Sequence, residues 1–227
     1  ALHCVTGHRG HLVYSGGDDV LALLPVNTAL ACAASLADQF QHAMNPAGAV
    51  QAVTATLSAG VALVHHMESL QVSLARARAA EKEAKKSRNA LAVALHTRGG
   101  EALTVASGWQ EGGGAAAEWR RWIGAMRRGL PDGANEPQHP QDEQNARRGG
   151  LARGLPYELR ALAREWRAIC LPEARLRAEA ERILHRKEGG TTEDLPCWVR
   201  TADHLERFAR QLVIARFLST YPKSDHG

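Results

Sequence analysis

The chain has 227 residues, 44% hydrophobic, 5% aromatic and 23% charged, with a formal net charge of +4. That is enough apolar content for a globular core in one large or two small domains. No apolar run approaches the roughly 20 residues of a membrane span, and no charged-then-apolar amino terminus resembles a signal peptide, so the expected location is cytoplasmic, with no membrane contact. The four cysteines, Cys4, Cys32, Cys170 and Cys197, form no Cys-x-x-Cys pair, which argues against a zinc ribbon or a disulfide framework. His3, Cys4, His8 and His11 match no standard metal-ligand spacing.

The first strongly patterned stretch, residues 11–25, reads His-Leu-Val-Tyr-Ser-Gly-Gly-Asp-Asp-Val-Leu-Ala-Leu-Leu-Pro. Residues 12–14 and 20–24 are strand-forming runs, apolar enough to be buried on both faces. Gly16 and Gly17 between them predict a hairpin turn, where a missing Cβ admits positive φ and the close approach of a ligand. Asp18 and Asp19 follow directly. Two ionised carboxylates about 6 Å apart, at an effective dielectric near 20, repel by roughly 3 kcal/mol. A divalent cation reverses that cost, so the pair predicts a site for Mg²⁺ or Mn²⁺ at the hairpin tip. An ordinary turn with solvated acids is the alternative, because turns favour the same residues.

Beyond Pro25, Thr28 is placed to cap a helix whose apolar face is Leu30, Ala33, Ala37, Phe40 and Met44, ended by Asn45, Pro46 and Gly48. Residues 57–64 predict a buried strand, closed by His65 and His66 as partly exposed polar caps. Residues 70–88 predict a helix with Leu70, Leu74, Ala77 and Ala84 on one stripe and Arg76, Glu81, Lys82 and Lys85 off it. Glu81 and Lys85, one turn apart, are able to pair, and the basic last turn opposes the helix dipole. Strands over residues 90–96 and 102–107 follow, joined by a turn at Arg98-Gly99-Gly100-Glu101.

Gly112 to Gly114 then separate a sheet-forming domain, residues 1–112, from an all-α domain, residues 113–227. The first helix of that domain carries Trp119, Trp122, Ile123 and Met126 on one face, and residues 129–153, rich in Pro, Gln and Asn, predict a mobile loop. Pro156 and Pro172 suit first turns, Gly189-Gly190 stop the helix from Glu173, and a last helix near residues 201–219 is expected to bury Leu205, Phe208, Leu212 and Phe217. The whole +4 lies in the helical part. Most of its arginines read as a solvated face, and no aromatic-interleaved basic stripe marks RNA contact. The fold class is therefore α+β, followed by an all-α part.

The run Tyr14-Ser15-Gly16-Gly17-Asp18-Asp19-Val20 and its Leu-Ala-Leu-Leu-Pro continuation resemble the Gly-Gly-Asp-Asp hairpin of the palm domain in the large subunit of type III CRISPR effector complexes, III-B in kind. Diguanylate cyclases share a similar hairpin but normally carry Glu-Phe after the glycines and acid, so Asp19 and Val20 favour the CRISPR subunit. Ala84-Lys85-Lys86-Ser87-Arg88-Asn89 resembles the family segment Ala-Lys-x-x-Gly-Arg-Asn, whose Lys contacts nucleotide phosphate. Ser87 replaces the usual Gly and the spacing is one residue shorter, so Lys85 takes the role with Lys86 as the alternative. Leu155-Pro156-Tyr157-Glu158-Leu159-Arg160 and Ile214-Ala215-Arg216-Phe217-Leu218 resemble the family's carboxy-terminal helical domain.

The resemblance implies a partial ferredoxin-like palm of the nucleotide-cyclase type. It lacks a counterpart of the preceding strand and helix, and of the further metal-binding Asp on that strand, so the chain reads as a carboxy-terminal fragment, expected to be inactive by itself. It implies nucleotidyl transfer, with ATP joined into cyclic oligoadenylates when a guide RNA pairs with target RNA. Asp18 and Asp19 are then the catalytic and metal-binding residues, and Ser15, Gly16, Gly17 and Lys85 meet the nucleotide. Other subunits of the complex, guide RNA and target RNA are the expected partners. The adjacent His-Asp pair of the family's nuclease domain is not in this sequence, so no DNA cleavage is expected. A GTP-using diguanylate-type cyclase and a catalytically silent scaffold are the alternatives.

Overall fold

The computed structural model describes residues 1–45, 55–111, 114–129, 150–169, 172–186 and 195–222. Most of the loop expected over 129–153 lies outside these residues, as do the expected helix stops at Pro46, Gly48 and Gly189-Gly190. The chain divides into two compact units, Ala1–Ala116 with Tyr221–Gly227, and Ala117–Thr220. No described helix is long and apolar enough to cross a membrane.

The first unit opens with a short helix that the sequence reading did not anticipate, α1 (Leu2–Gly7). A hairpin follows, β1 (His11–Gly16) and β2 (Asp19–Leu23), forming a two-stranded antiparallel sheet of its own. Leu12, Ala22 and Leu24 pack against Cys4 and Val5 of α1 and Cys32 of α2 (Ala29–Met44), so one face of the hairpin is covered. The expectation of strands buried on both faces is corrected here. Val13, Tyr14, Val20 and Leu23 stay about half exposed, because a two-stranded ribbon has a second face and no described element covers it. Thr28 precedes α2 but does not cap it through its side chain; its hydroxyl instead donates to the Pro25 carbonyl at 3.1 Å. At the other end Asn45 donates to the Gln41 and Ala55 carbonyls and accepts from the Ala55 N–H, tying the helix exit to the approach of the next strand.

The second sheet has three strands in the order β3 (Ala59–Leu63), β4 (Ala90–Leu95), β5 (Leu103–Gly108). β3 and β4 run parallel, in register from Ala59 opposite Leu91 to Leu63 opposite Leu95, and the helix α3 (Leu70–Ser87) is their crossover. β5 returns antiparallel to β4. Flanked on both sides, β4 is buried along its whole length, which is why it reads Ala-Leu-Ala-Val-Ala-Leu with no polar residue, whereas β5 alternates buried and half-exposed positions.

α3 starts at Ser69, whose hydroxyl oxygen accepts from the Val72 N–H at 3.3 Å. Its buried residues are Ala80 and Ala84, while Leu70, expected in the apolar stripe, is 59% exposed. Alanines let the helix sit very near the sheet. At Gly60 the approach is so close that an added Cβ would lie 2.1 Å from the Glu81 backbone nitrogen.

The regular structure described in the second unit is all helical: most of α4 (Ala115–Arg128), α5 (Leu155–Ile169), α6 (Glu173–Arg186) and α7 (Ala202–Ser219). α7 is the central helix. Leu205, Phe208, Ala209, Leu212, Ile214, Ala215 and Leu218 are all buried, and so are Glu206, Gln211 and Ser219, so most of its circumference is covered; Phe217 is only half-buried, with Leu218 taking the interior position. Phe208 meets Trp122 edge-on with ring centroids 4.9 Å apart.

Two acids are buried in this unit, Glu118, whose carboxylate accepts from the Trp198 indole N–H at 3.2 Å, and Glu206. Glu206 takes Arg210 at 2.6 Å, Arg160 at 3.9 Å and Arg167, so these three arginines converge on a charge rather than lining a solvated face. Burial alone would raise the Glu206 pKa, but the hydrogen bonds and fields of Arg210 and Arg167 outweigh it and hold the carboxyl below its ordinary value.

Two outcomes test this packing. Gly60→Ala should force α3 off the sheet and lower the unfolding free energy by about 1–3 kcal/mol, read from urea melts. Glu206→Ala should cost about 1–2 kcal/mol, because Arg160, Arg167 and Arg210 lose a shared carboxylate while the last two stay partly solvated. A depressed carboxyl pKa contributes stability that is present above the unfolded value, near 4.5, and lost as the pH falls through the folded one. Acid melts of the wild type should therefore steepen below that pH, and the Glu206→Ala melts should lose this part of the slope.

Candidate active site at the hairpin tip

The ladder between β1 and β2 pairs Gly16 with Asp19, Ser15 with Val20 and Tyr14 with Leu21, then shifts register before Leu12 pairs with Ala22 and His11 with Leu23. The shift leaves Val13 as the extra residue of a bulge, which bends the ribbon below its tip. The two turn residues are therefore Gly17 and Asp18, not Gly16 and Gly17 as the sequence reading had it. Gly17 has φ +60° and Asp18 has no positive φ, the pattern of a type II′ turn with glycine first. Nothing lies within 4 Å of the Gly17 position where a Cβ would be, so the space above the turn is open.

Gly16 is different. Its missing Cβ makes way for the Tyr14 phenol, whose oxygen would be 2.5 Å from that atom. The room expected there for a nucleotide is filled by Tyr14, a side chain about half exposed and able to swing away. The sequence signal for this contact was the i, i+2 spacing, which puts Tyr14 and Gly16 on the same face of one strand.

Asp18 and Asp19 are both exposed, at the apex and at the start of β2. Among the described residues no third His, Cys, Asp or Glu completes a set of three ligand atoms with them. Two carboxylates in open solvent fit Mg²⁺ or Mn²⁺, which keeps several waters and takes its remaining ligands from substrate phosphates. Ser15 is exposed on β1 just below the tip.

Lys85 stands in the last turn of α3. Its ammonium pairs with Glu81 at 2.5 Å. Its pKa is raised, first by the hydrogen bond and field of Glu81, then by the fields of Asp19 and Asp18. Residues 66 positions apart in sequence thus share one electrostatic environment. Lys86 pairs instead with Glu83 at 2.5 Å. His65 and His66 are exposed at the end of β3, with ring centroids 4.3 Å apart. The His65 Nδ1 accepts from the Met67 N–H, and its pKa is lowered by loss of solvent, then by Arg98 and His66.

The turn after Lys85 carries a feature that composition did not reveal. Arg88, at φ 54° and ψ 164°, and Asn89, at φ 44°, both take positive φ with a side chain attached. The Arg88 pair of angles is one that glycine alone adopts readily. The reversal lets Ala90 enter β4 directly, with the Asn89 carbonyl accepting from the Trp109 N–H at 2.9 Å.

Residues 1–92 match the family model of the Cas10/Cmr2 second palm domain. Over 112 residues the chain is 33% identical to the CRISPR system Cmr subunit Cmr2 of Pyrococcus furiosus, an alignment covering 48% of this chain and 13% of that protein. The chain thus aligns with only a small share of its relative's length.

Arg88→Gly should relieve the turn and raise unfolding free energy by about 1 kcal/mol, since the strain released exceeds the entropy that glycine adds to the unfolded chain. Thermal and urea melts check it; a destabilised variant would mean the Arg88 side chain makes a compensating contact.

Proposed function

We propose, from the match of residues 1–92 to the Cas10/Cmr2 second palm domain, that the chain is part of a type III CRISPR large subunit and that its hairpin tip is a nucleotidyl-transfer site. The reaction is the conversion of ATP to cyclic oligoadenylate. The observation that carries the reading is the pair of exposed carboxylates, Asp18 and Asp19, at an open glycine turn, whose field reaches Lys85 at the end of α3.

Each group has a part in this chemistry. Asp18 and Asp19 would hold the divalent cations, Mg²⁺ or Mn²⁺, and when bound these would lower the pKa of a 3′-hydroxyl and take up charge on a triphosphate. Lys85 leaves Glu81 for a phosphate oxygen, an exchange between two anionic partners that costs little. Gly17 leaves the approach above the turn open, and Ser15 offers a hydroxyl beside it. Tyr14 must move from over Gly16 as the nucleotide enters, and its ring is then free to stack on the base.

Guide RNA, target RNA and the other subunits of the complex are the proposed partners, with target pairing as the signal that starts synthesis. A second reading, a silent scaffold, is favoured by the lack of a third ligand beside the two carboxylates among the described residues.

The test uses the assembled effector containing this chain, with target RNA, Mg²⁺ and labelled ATP. Asp18→Ala with Asp19→Ala should cut product by roughly a hundredfold or more while guide RNA and subunits still assemble. Lys85→Ala should raise KM for ATP about ten- to a hundredfold, the worth of one charged hydrogen bond, and Lys86→Ala should leave it unchanged. Product from the double variant at wild-type level would overturn the site. Consumption of GTP in place of ATP would point to the diguanylate-type alternative.

A further inference from the structure

Away from the hairpin tip, three ligand-bearing side chains converge beneath it. The Sγ atoms of Cys4 and Cys32 and a ring nitrogen of His8 all lie within 4.8 Å of one another. Cys4 comes from α1, His8 from the residue that closes α1, and Cys32 from the first turn of α2. Spacing alone hid the group, because its third member stands 24 residues beyond His8 and only the fold brings it in.

We propose that Cys4, His8 and Cys32 form a binding site for a soft divalent cation, Zn²⁺ in kind, that staples α1 to α2 under the hairpin.

The donor set suits a soft or borderline cation. Two sulfurs and an imidazole select Zn²⁺ over the hard, oxygen-seeking Mg²⁺ of the hairpin tip. Tetrahedral Zn–S bonds of about 2.3 Å place two sulfurs about 3.8 Å apart, so closing on the ion takes a movement of about an ångström or less. The His8 Nδ1 donates to the Cys4 carbonyl at 2.8 Å, which fixes the tautomer and leaves Nε2 as the nitrogen able to take an ion, as in most metal-bound histidines. Both thiols are buried and unoxidised, while His8 is half-buried, so the ion would sit at the rim of the core with solvent completing its fourth position.

Burial, with Cys4 alongside, pushes the Cys32 thiol up to about 12, so ion binding would have to displace its proton. The consequence is mechanical. α1 has only six residues and no side-chain cap, yet Leu12, Ala22 and Leu24 of the hairpin rest on its Cys4 and Val5 and on Cys32. An ion there would fix the floor on which the hairpin stands.

The test takes the full chain, reduced with a phosphine, stripped with EDTA and titrated with Co²⁺ as a spectroscopic stand-in. One equivalent should produce the visible bands of tetrahedral cobalt and a thiolate charge-transfer band, abolished by Cys4→Ser and by Cys32→Ser and unchanged by Cys197→Ser. Should the two serine variants fail to fold, His8→Asn keeps the test open, because His8 is only half-buried. Zn²⁺ should raise the melting temperature of the wild type, and the same Zn²⁺ should shift His8→Asn much less, its affinity being at least about tenfold lower. No cobalt band in the wild type, a band that survives in folded Cys4→Ser or Cys32→Ser, or an equal Zn²⁺ shift in His8→Asn would each overturn the site.

Discussion

The close seating of α3 on its sheet is the constraint on which the first unit depends. A helix at ordinary distance from a sheet is held off by branched side chains, but here Gly60 lets the Glu81 backbone come down onto β3, and Ala80 and Ala84 fill the thin space that is left. Each consequence follows from that approach. β4 must be small and apolar on both faces, the exit from α3 must reverse sharply through two positive-φ residues, and the last turn of α3 must project its lysines past the edge of the packing. Lys85 gets its place near the two hairpin acids from this geometry, and Glu81 serves twice, through its backbone at Gly60 and through its carboxylate at Lys85.

The hairpin answers to a different constraint. Its inner face is pinned by Leu12, Ala22 and Leu24 on a small cluster of α1 and α2, and its tip is fixed by a tight two-residue turn. Between them the Val13 bulge bends the ribbon, which lets the tip be aimed independently of its base. The outer face carries half-exposed Val13, Tyr14, Val20 and Leu23. A rigid base with an open tip suits a site whose carboxylates gather cations only together with the phosphates of a substrate.

Much of this was legible in residue order. The strand-turn-strand pattern, the crossover from β3 through α3 to β4, the return of β5 and the later helices all follow from apolar periodicity, and the acids and Lys85 were identifiable as types in a pattern. What was not legible has physical reasons. A six-residue helix such as α1 is too short to show a period, and its residues read as the approach to a strand. A turn of two glycines and two acids admits more than one register, and only the ladder decides that Asp18 is a turn residue and Gly16 a strand residue. Burial of the hairpin was overstated because apolar content tells how much surface a strand would hide, not whether a second layer is there to hide it. Glu206 and Cys32 were missed alike: each matters through partners far away in sequence, three arginines in one case and Cys4 with His8 in the other.

The most direct measurement is a structure of the assembled effector with Mn²⁺ and a non-hydrolysable ATP analogue, using the anomalous signal of manganese to locate the ions. The account expects manganese against the Asp18 and Asp19 carboxylates, the triphosphate within reach of Lys85, and Tyr14 displaced from Gly16. Manganese and triphosphate bound elsewhere, with both carboxylates solvated and Lys85 still on Glu81, would contradict it.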